Sequence, residues 1–172
     1  SARSMLPFTL PSSYTVKVTA YQKAGSGRYG LLFNVNSLSP GNTYYVFRVD
    51  SYIGYYELVK MRIYPDGIKP EKMEPSGYPS IITNGPNILE VKQNYNRVEL
   101  LINNEKIYGD YIPEGEVNDF IQVGLHVWAD AGKTHTVHFD DFHVTATGIG
   151  PQMQMMNMMM GGTVSFKDIE LE

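Results

Sequence analysis

The stretch Thr134–Thr145, THTVHFDDFHVT, constrains the fold of this chain more than any other segment. Val137 and Phe139 alternate with polar neighbours, a period of two that is typical of a β-strand with one buried face. The alternation slips by one residue at Asp140–Asp141 and then resumes, which indicates a β-bulge. The segment Thr163–Leu171 repeats this spacing of apolar residues. We therefore predict two bulged strands of similar design late in an all-β chain.

The rest of the chain shows the same period, in short runs separated by Gly, Pro, Asn and Ser. These runs predict strands at Tyr14–Gln22, Tyr29–Asn36, Thr43–Asp50, Tyr55–Tyr64, Ile81–Thr83, Ile88–Lys92, Arg97–Asn103, Glu105–Tyr108 and Phe120–Trp128. Pro65–Pro79 contains Gly and several prolines and is expected to be a long loop. No longer stretch has helical periodicity. The pattern predicts an all-β fold, a two-sheet antiparallel β-sandwich of the jelly-roll type with little helix.

Composition excludes several classes of protein. At 172 residues the chain is long enough to bury a sizeable core as a single domain. The net charge of −4 and the lack of a basic cluster argue against a nucleic-acid partner. The absence of cysteine excludes disulfides and thiolate metal sites, and no apolar run approaches the roughly 20 residues of a membrane span. Ser1–Ser4 is interpreted as a cloning remnant or the start of an excised domain.

The segment 148–162 is unlike the rest, because six of its residues are methionine. Gly and Pro at its ends indicate a loop. We expect residues 1–172 to form one jelly-roll domain, in which 148–162 is a Met-rich loop and 163–171 is a closing strand. Thioethers suit Cu(I) or adaptable apolar contacts, so the loop is a candidate site for a protein partner.

The order of the segments carries a resemblance to a known family. The markers are the YTVKV and GLLFNV strands, the YYVFRVD and GYYELVK hairpin, the LINNEKI turn, the IQVGLHVW strand and the closing VHFDDFHV. Over Tyr14–Thr145 the chain resembles the concanavalin A-like lectin/glucanase superfamily, and within it the bacterial laminin-G-like jelly rolls. The resemblance implies a secreted, periplasmic or cell-surface bacterial protein that binds carbohydrate on one face of a curved sheet, sometimes with calcium.

A smaller set of this family are glycosidases, and the resemblance therefore also implies an enzyme as an alternative. Its glucanase members carry a Glu-x-Asp-x-Glu cluster on one strand. The nearest match here, Asp168, Glu170 and Glu172, has the wrong order and lies at the chain end. A solvated strand face explains these charges as well, so we favour a protein that does not catalyse.

The second face of the central strands is the first candidate for a ligand site, because it combines aromatic and charged side chains. Flat rings pack against the C–H faces of sugars, and charged groups bind hydroxyls. The candidate ligand-binding residues are Tyr44, Arg48, Asp50, Tyr55, Glu57, His126 and Trp128. The alternative is an ordinary outer sheet face with cross-strand pairs such as Arg48–Glu57.

Carboxylates and histidines supply two further hypotheses. Asp140 and Asp141 at the bulge, or the acidic Gly109–Asp119 loop, could bind calcium with oxygen ligands, although solvated carboxylates are the simpler alternative. His126 and His138 could approach each other across a strand pair and form an acid–base or metal site with Asp140.

Three functions therefore remain open. We favour a non-catalytic carbohydrate-binding or adhesion-type module that binds a glycan or glycoconjugate. The first alternative is a glycosidase-like hydrolase on the same concave face, which requires a pair of carboxylates about 5–10 Å apart. The second is a protein-interaction domain that uses a sheet face or the Met-rich loop.

Overall fold

A computed structural model of the chain describes residues 2–7, 9–117, 120–146, 163–166 and 169–171. Strands account for 68% of the structure and helix for 2%, in two antiparallel sheets. The predicted all-β sandwich with little helix is therefore confirmed. In the described part of the chain, no helix is long and apolar enough to cross a membrane. The Met-rich segment 148–162 lies outside the described residues.

The strands are numbered in chain order. They are β1 (Ala2–Met5), β2 (Ser13–Gly25), β3 (Gly27–Val35), β4 (Thr43–Asp50), β5 (Tyr55–Tyr64), β6 (Gly67–Gly77), β7 (Asn87–Asn94), β8 (Arg97–Ile102), β9 (Glu105–Tyr111), β10 (Gln122–Ala129), β11 (His135–Ala146), β12 (Thr163–Phe166) and β13 (Ile169–Leu171). The first sheet has the order β1-β10-β3-β4-β5-β6. The second has the order β12-β11-β2-β7-β8-β9, with β13 also paired to β11. A 3-10 turn, Glu114–Glu116, precedes β10.

The main core lies between the two sheets and follows from the alternation along each strand. In the first sheet, β10 and the residue before it direct four side chains inward that are nearly inaccessible to solvent: Ile121, Val123, Leu125 and Val127. In the second sheet, the inward residues of β11 include Val137 and Phe139, both fully buried. Burial of each large apolar side chain contributes roughly 1.5–3 kcal/mol, so the in-and-out pattern strongly favours this register over its neighbours.

The predicted bulge in β11 is confirmed. The pairing of β11 with β2 shifts register between Asp140 and His143, and Asp141 has a φ of 49°. The extra residue keeps apolar side chains on the core side before and after the slip, with Phe142 and Val144 both buried. On its other edge β11 pairs with β12 and β13.

Two expectations about local structure are wrong. Pro65–Pro79 is not a long loop, because Gly67–Gly77 forms β6. This strand is at the edge of its sheet, and register shifts beside Pro70 and Pro75 accommodate residues that lack an N–H donor. Residues 81–83 are not a strand: Ile81 lies in a turn, and residues 82–83 are irregular. The segment 2–5, for which no strand was predicted, forms β1 and pairs with β10.

The outer face of the first sheet carries many buried side chains, although it faces away from the main core. Its apolar half, here called the apolar cluster, consists of Leu32, Val35, Tyr44, Val46, Val59, Met61 and Ile63, with Met5 and Ile68 packed against them. Val35 reaches this face because Asn34 adopts a φ of 54° and inverts the alternation of β3. The cluster occupies one end of the outer face, and polar side chains occupy the other.

Candidate functional site

The polar half of this outer face is the candidate site, and we call it the polar patch. It consists of Arg3, Arg28, Arg48, Asp50, Tyr55, Glu57, His126 and Trp128. Strand register sets its layout. Arg3 lies opposite His126, His126 opposite Gly30, Gly30 opposite Arg48, and Arg48 opposite Glu57, which forms one row across five strands. Trp128 lies opposite Arg28 in the next row.

An ion cluster of two arginines and one glutamate forms the floor of the polar patch. Arg48 Nε donates to Oε1 of Glu57 at 2.6 Å, and Arg28 Nη1 donates to the same oxygen at 2.9 Å. The Arg48 and Glu57 side chains are only 5% and 2% exposed, whereas Arg28 is 34% exposed. Burial lowers the pKa of Arg48, and the Glu57 charge opposes that shift. The predicted cross-strand pair of Arg48 and Glu57 is confirmed.

Trp128 covers part of this floor. The Arg48 guanidinium carbon lies 4.7 Å from the centroid of the Trp128 ring, within the range of a cation–π contact. The two residues are on strands that flank β3, and Gly30 lies between them without a side chain to separate them. Trp128 is 38% exposed, so its ring is accessible from outside. The expectation that Trp128 lies opposite the core face of its strand is confirmed.

Tyrosines extend this surface on the other side of Arg28. The Arg28 guanidinium carbon is 5.5 Å from the centroid of the Tyr55 ring, and the rings of Tyr55 and Tyr78 are 5.0 Å apart. Tyr78 is 71% exposed. Trp128, Tyr55 and Tyr78 thus form a rim of accessible rings, with Arg28 between them.

His126 is part of the floor and is held neutral. It is 4% exposed, and its ring centroid is 6.4 Å from that of Trp128. Burial, with the added charges of Arg48 and Arg3, lowers the pKa of His126 to about 3. An imidazole that stays neutral near pH 7 can donate or accept a hydrogen bond, but it is poorly matched to acid–base catalysis.

Unused hydrogen-bonding atoms are concentrated in the polar patch. Within the described residues, four buried side-chain atoms have no hydrogen-bond partner: Arg28 Nε, Arg48 Nη1 and His126 Nδ1 in the polar patch, and His135 Nε2 outside it. Most buried polar atoms in proteins are paired, because a buried unpaired group costs roughly 1–3 kcal/mol. Three of the four lie in the polar patch, which is unusual for a sheet face with a purely structural role.

Two of the residues proposed from the sequence lie away from the floor. Tyr44 is 1% exposed and belongs to the apolar cluster, where the Arg3 guanidinium carbon is 5.7 Å from its ring centroid. The carboxylate of Asp50 accepts hydrogen bonds from the backbone N–H groups of Tyr52 and Ile53 at 3.1 and 3.3 Å. Asp50 thereby stabilises the turn between β4 and β5.

Arg28, Arg3 and Tyr78 were missed by the sequence reasoning. By alternation Arg28 lies on the same face as the candidate ligand-binding residues, but its strand was predicted to begin one residue later, at Tyr29. Arg3 lies in the segment that was interpreted as a remnant. Tyr78 lies within Pro65–Pro79, which was predicted to be a loop, and no periodicity there connects it to the sheet.

The other proposed sites are placed elsewhere. His138 lies on the second sheet, where its ring centroid is 5.1 Å from that of Tyr21, so the hypothesis that it meets His126 is wrong. Asp140 Oδ1 accepts a hydrogen bond from the backbone N–H of Asp141 at 2.8 Å. The described residues contain no group of three His, Cys, Asp or Glu side chains that could hold a metal ion. Calcium binding at Asp140 and Asp141 stays a prediction.

In the acidic loop, Glu116 is already engaged by neighbouring side chains. Its carboxylate accepts a hydrogen bond from the Tyr45 hydroxyl at 2.6 Å and forms an ion pair with Lys60. Asp119 lies outside the described residues.

A second depression lies on the opposite side of the molecule. It encloses about 340 Å³ on the second sheet, and its lining includes Tyr14, Lys92, Arg97 and Glu99. Glu99 pairs with Arg97 at 3.1 Å, and Tyr14 is only 3% exposed. Among its lining residues there is no accessible ring on which a ligand could stack, so we prefer the polar patch.

Comparison with known proteins identifies the fold. Neither a family model nor a curated protein matches the chain. Solved structures do match. The carbohydrate-binding module CBM66 from Bacillus subtilis has a TM-score of 0.53 at 15% identity, over 83% of this chain and 76% of its own. A tetrameric galectin from the ball sponge Cinachyrella sp. has a TM-score of 0.52 at 14% identity, over 86% and 99%. A glycoside hydrolase family 16 endo-glucanase from Bacteroides ovatus has a TM-score of 0.57 at 7% identity, over 80% and 70%.

The chain has the concanavalin A-like jelly-roll fold. The resemblance stated from the sequence is confirmed at this level. Because these identities are 15% or less, the matches establish the concanavalin A-like fold and leave the choice of ligand to the residues of this chain.

Proposed function

We propose that the chain is a non-catalytic module that binds a glycan on its polar patch. The observation that carries this proposal is the Arg28–Arg48–Glu57 ion cluster, whose Arg48 lies beneath the accessible ring of Trp128. Sugars have apolar C–H faces and many hydroxyl groups, so a binding site needs a flat ring beside fixed hydrogen-bonding groups. The polar patch provides both within two adjacent rows of one sheet.

The fixed position of the Arg48 side chain supports glycan binding at the polar patch. Arg48 is held by Glu57 on one side and by the Trp128 ring on the other, and sheet register places all three. A group that is fixed before binding loses little conformational entropy when the ligand arrives. Arg28, whose side chain is 34% exposed beside this fixed group, would supply hydrogen bonds to the sugar.

The chemistry of the carboxylates supports binding over hydrolysis. Retaining and inverting glycosidases use two carboxyl groups, about 5–5.5 Å or about 6.5–9.5 Å apart, as acid and base or nucleophile. Oε1 of Glu57 is engaged by two guanidinium groups, and Asp50 is engaged by a turn. Both carboxylates are thus already bound by groups of the protein, whereas a glycosidase needs two that face the substrate.

The structural neighbours fit the proposal. By their names they are a carbohydrate-binding module, a galectin and an endo-glucanase. Because one neighbour is an endo-glucanase, the second candidate function is a glycosidase that uses the same face. We also propose a secreted, periplasmic or cell-surface location, which suits a protein that meets glycans outside the cell. A bacterial source, calcium as a cofactor and the organisation of residues 1–172 as one domain remain part of the same proposal.

A glycan array tests the function directly. The protein is probed as wild type, as Trp128→Ala and as Tyr64→Ala, with calcium and with a chelator. Tyr64 is the matched control, because its ring is 39% exposed, close to the 38% of Trp128, and it does not belong to the polar patch. We expect the wild type and Tyr64→Ala to bind the same glycans and Trp128→Ala to lose them, while all three melt at similar temperatures.

Two results would contradict the proposal. Equal binding by wild type and Trp128→Ala would move any glycan site away from the polar patch. Release of reducing sugar from a bound glycan, which a reducing-end assay detects, would show that the chain is an enzyme. Binding that disappears with the chelator and returns with calcium would support the calcium prediction.

A further inference from the structure

The polar patch carries an excess of positive charge on a chain that is acidic overall. Arg3, Arg28 and Arg48 lie on this face, and Glu57 is the carboxylate that pairs with two of them. The carboxylate of Asp50 is directed to backbone N–H groups of a turn. The whole chain has a net charge of −4, so the patch has the opposite sign to the average surface.

The two arginines of the floor also keep unused hydrogen-bonding capacity. A guanidinium has five N–H donors and pairs best with an oxyanion through two parallel bonds. In the described structure Arg28 and Arg48 each donate one side-chain hydrogen bond, and both bonds end on the same oxygen of Glu57. Arg28 Nε and Arg48 Nη1 are buried without a hydrogen-bond partner in the described structure. The Arg48 side chain is 5% exposed and Arg28 is 34% exposed, so an incoming group meets Arg28 first.

The histidine of the patch reports the same electrostatic environment. The charges of Arg48 and Arg3 add to burial in lowering the pKa of His126. The field at this end of the sheet therefore disfavours cations and favours anions.

From this geometry we infer that the glycan is acidic, and that its carboxylate or sulfate group binds to Arg28 and Arg48 while a sugar ring stacks on Trp128. The inference rests on the proposed glycan-binding function and specifies the class of its ligand. Trp128 and Arg28 are cross-strand partners, so a ring on the first places its substituents beside the second. The carboxylate or sulfate of the glycan would accept hydrogen bonds from guanidinium N–H groups that do not bind Glu57.

Paired ligands that differ only in charge test the inference. The first pair is oligogalacturonate and its methyl ester, and the second is a sulfated galactan oligosaccharide and its desulfated form. Binding is measured by calorimetry between about 0.05 M and about 0.5 M NaCl, a range over which screening of exposed charges becomes severe. For at least one pair we expect the acidic form to bind roughly 10- to 100-fold more tightly, with an affinity that falls as salt rises.

Variants separate a specific contact from general attraction of charge. Arg28→Gln should lose most of the preference for the acidic form, so that the ratio of the affinities for the acidic and neutral forms falls toward one. Arg28→Lys retains the charge and should keep part of the preference. Arg97→Gln is the matched control, because its side chain is 54% exposed on the second sheet and removes one positive charge far from Trp128. It should leave the preference unchanged.

The outcomes distinguish failure of this inference from failure of the proposed function. Equal affinity for acidic and neutral forms, abolished in Trp128→Ala, would overturn the inference and leave the glycan-binding function intact. Equal losses in Arg28→Gln and Arg97→Gln would also overturn it, because the attraction would then be non-specific. Absence of binding to every glycan, charged and neutral, would overturn both. A preference confined to the carboxylated pair or to the sulfated pair would support the inference and identify the group.

Discussion

The buried pair of Arg48 and Glu57 allows a stringent test of the arrangement on the outer face. Replacement of Arg48 by Met removes the closer of the two partners of Glu57, whose side chain is 2% exposed. Loss of one partner of a buried ion pair costs about 3–5 kcal/mol, because the other charge remains without water. Arg28, at 2.9 Å, still compensates Glu57, so we expect a loss near the lower end, about 3 kcal/mol.

Replacement of Glu57 by Leu has the larger expected effect. It leaves two guanidinium groups near each other, one of them 5% exposed, without the carboxylate that both contact. We expect a loss of about 5 kcal/mol, a large share of the 5–15 kcal/mol that stabilises a typical domain. For a chain of this length each kcal/mol lowers the melting temperature by about 2–4 °C. The two single variants should therefore melt about 6–20 °C below the wild type.

The double variant Arg48→Met/Glu57→Leu should recover most of this stability. The residues two positions along each strand, Val46 and Val59, face the same side and are buried in the apolar cluster. New apolar side chains at 48 and 57 would extend that cluster, and Arg28 can turn toward water because it is already 34% exposed. Replacement of a buried ion pair by apolar residues is often neutral, so we expect the double variant within about 2 kcal/mol of the wild type.

Urea denaturation followed by far-UV circular dichroism measures all three variants. The matched control is Arg62→Met/Glu71→Leu with its single variants, a pair at 2.9 Å in the same sheet whose side chains are 32% and 33% exposed. Such partly exposed pairs contribute about 1 kcal/mol or less. The reasoning is refuted if Arg48→Met and Glu57→Leu cost no more than the control variants. It is also refuted if their effects add in the double variant, because residues that interact do not behave additively.

Two further predictions concern neighbouring residues. The folded pKa of His126, about 3, lies below its unfolded value of about 6.5, so the unfolded chain binds the proton first and stability falls as the pH drops below about 6.5. Between about pH 7 and about pH 5 the loss from this group should be about 2 kcal/mol, and His126→Gln should remove it, whereas an unchanged slope in urea titrations would contradict the shift. A Cβ at Gly30 would overlap the carbonyl oxygen of Phe47, so Gly30→Ala should cost about 1–3 kcal/mol. Gly115→Ala, with open space around the new methyl group, should melt like the wild type, and equal melting of both variants would show that the strands can move apart.

The candidate site could be predicted in part because β-strands alternate strictly. Arg48 and Glu57 share a face with Val46 and Val59, and this parity can be read along each strand without knowledge of the fold. It places Trp128 opposite the core residues of its own strand, as the structure confirms. Alternation fails where a residue takes an unusual φ, as Asn34 does, because a single left-handed residue inverts the pattern that follows.

The polar patch itself required the tertiary structure. Arg3, on β1, reaches His126 through a strand pairing that spans most of the chain. Arg28 shares the oxygen of Glu57 with Arg48 because β3 and β5 flank β4 in the sheet. No local pattern encodes such pairings.

The sequence by itself therefore determined which side of each strand faces the core, since burial of apolar side chains decides that residue by residue. The order of strands, and with it the positive charge collected around one glutamate, was decided by the tertiary structure. The physical reason is that strand order depends on contacts between residues distant in the chain, whose free energy is gained only when the whole sandwich forms.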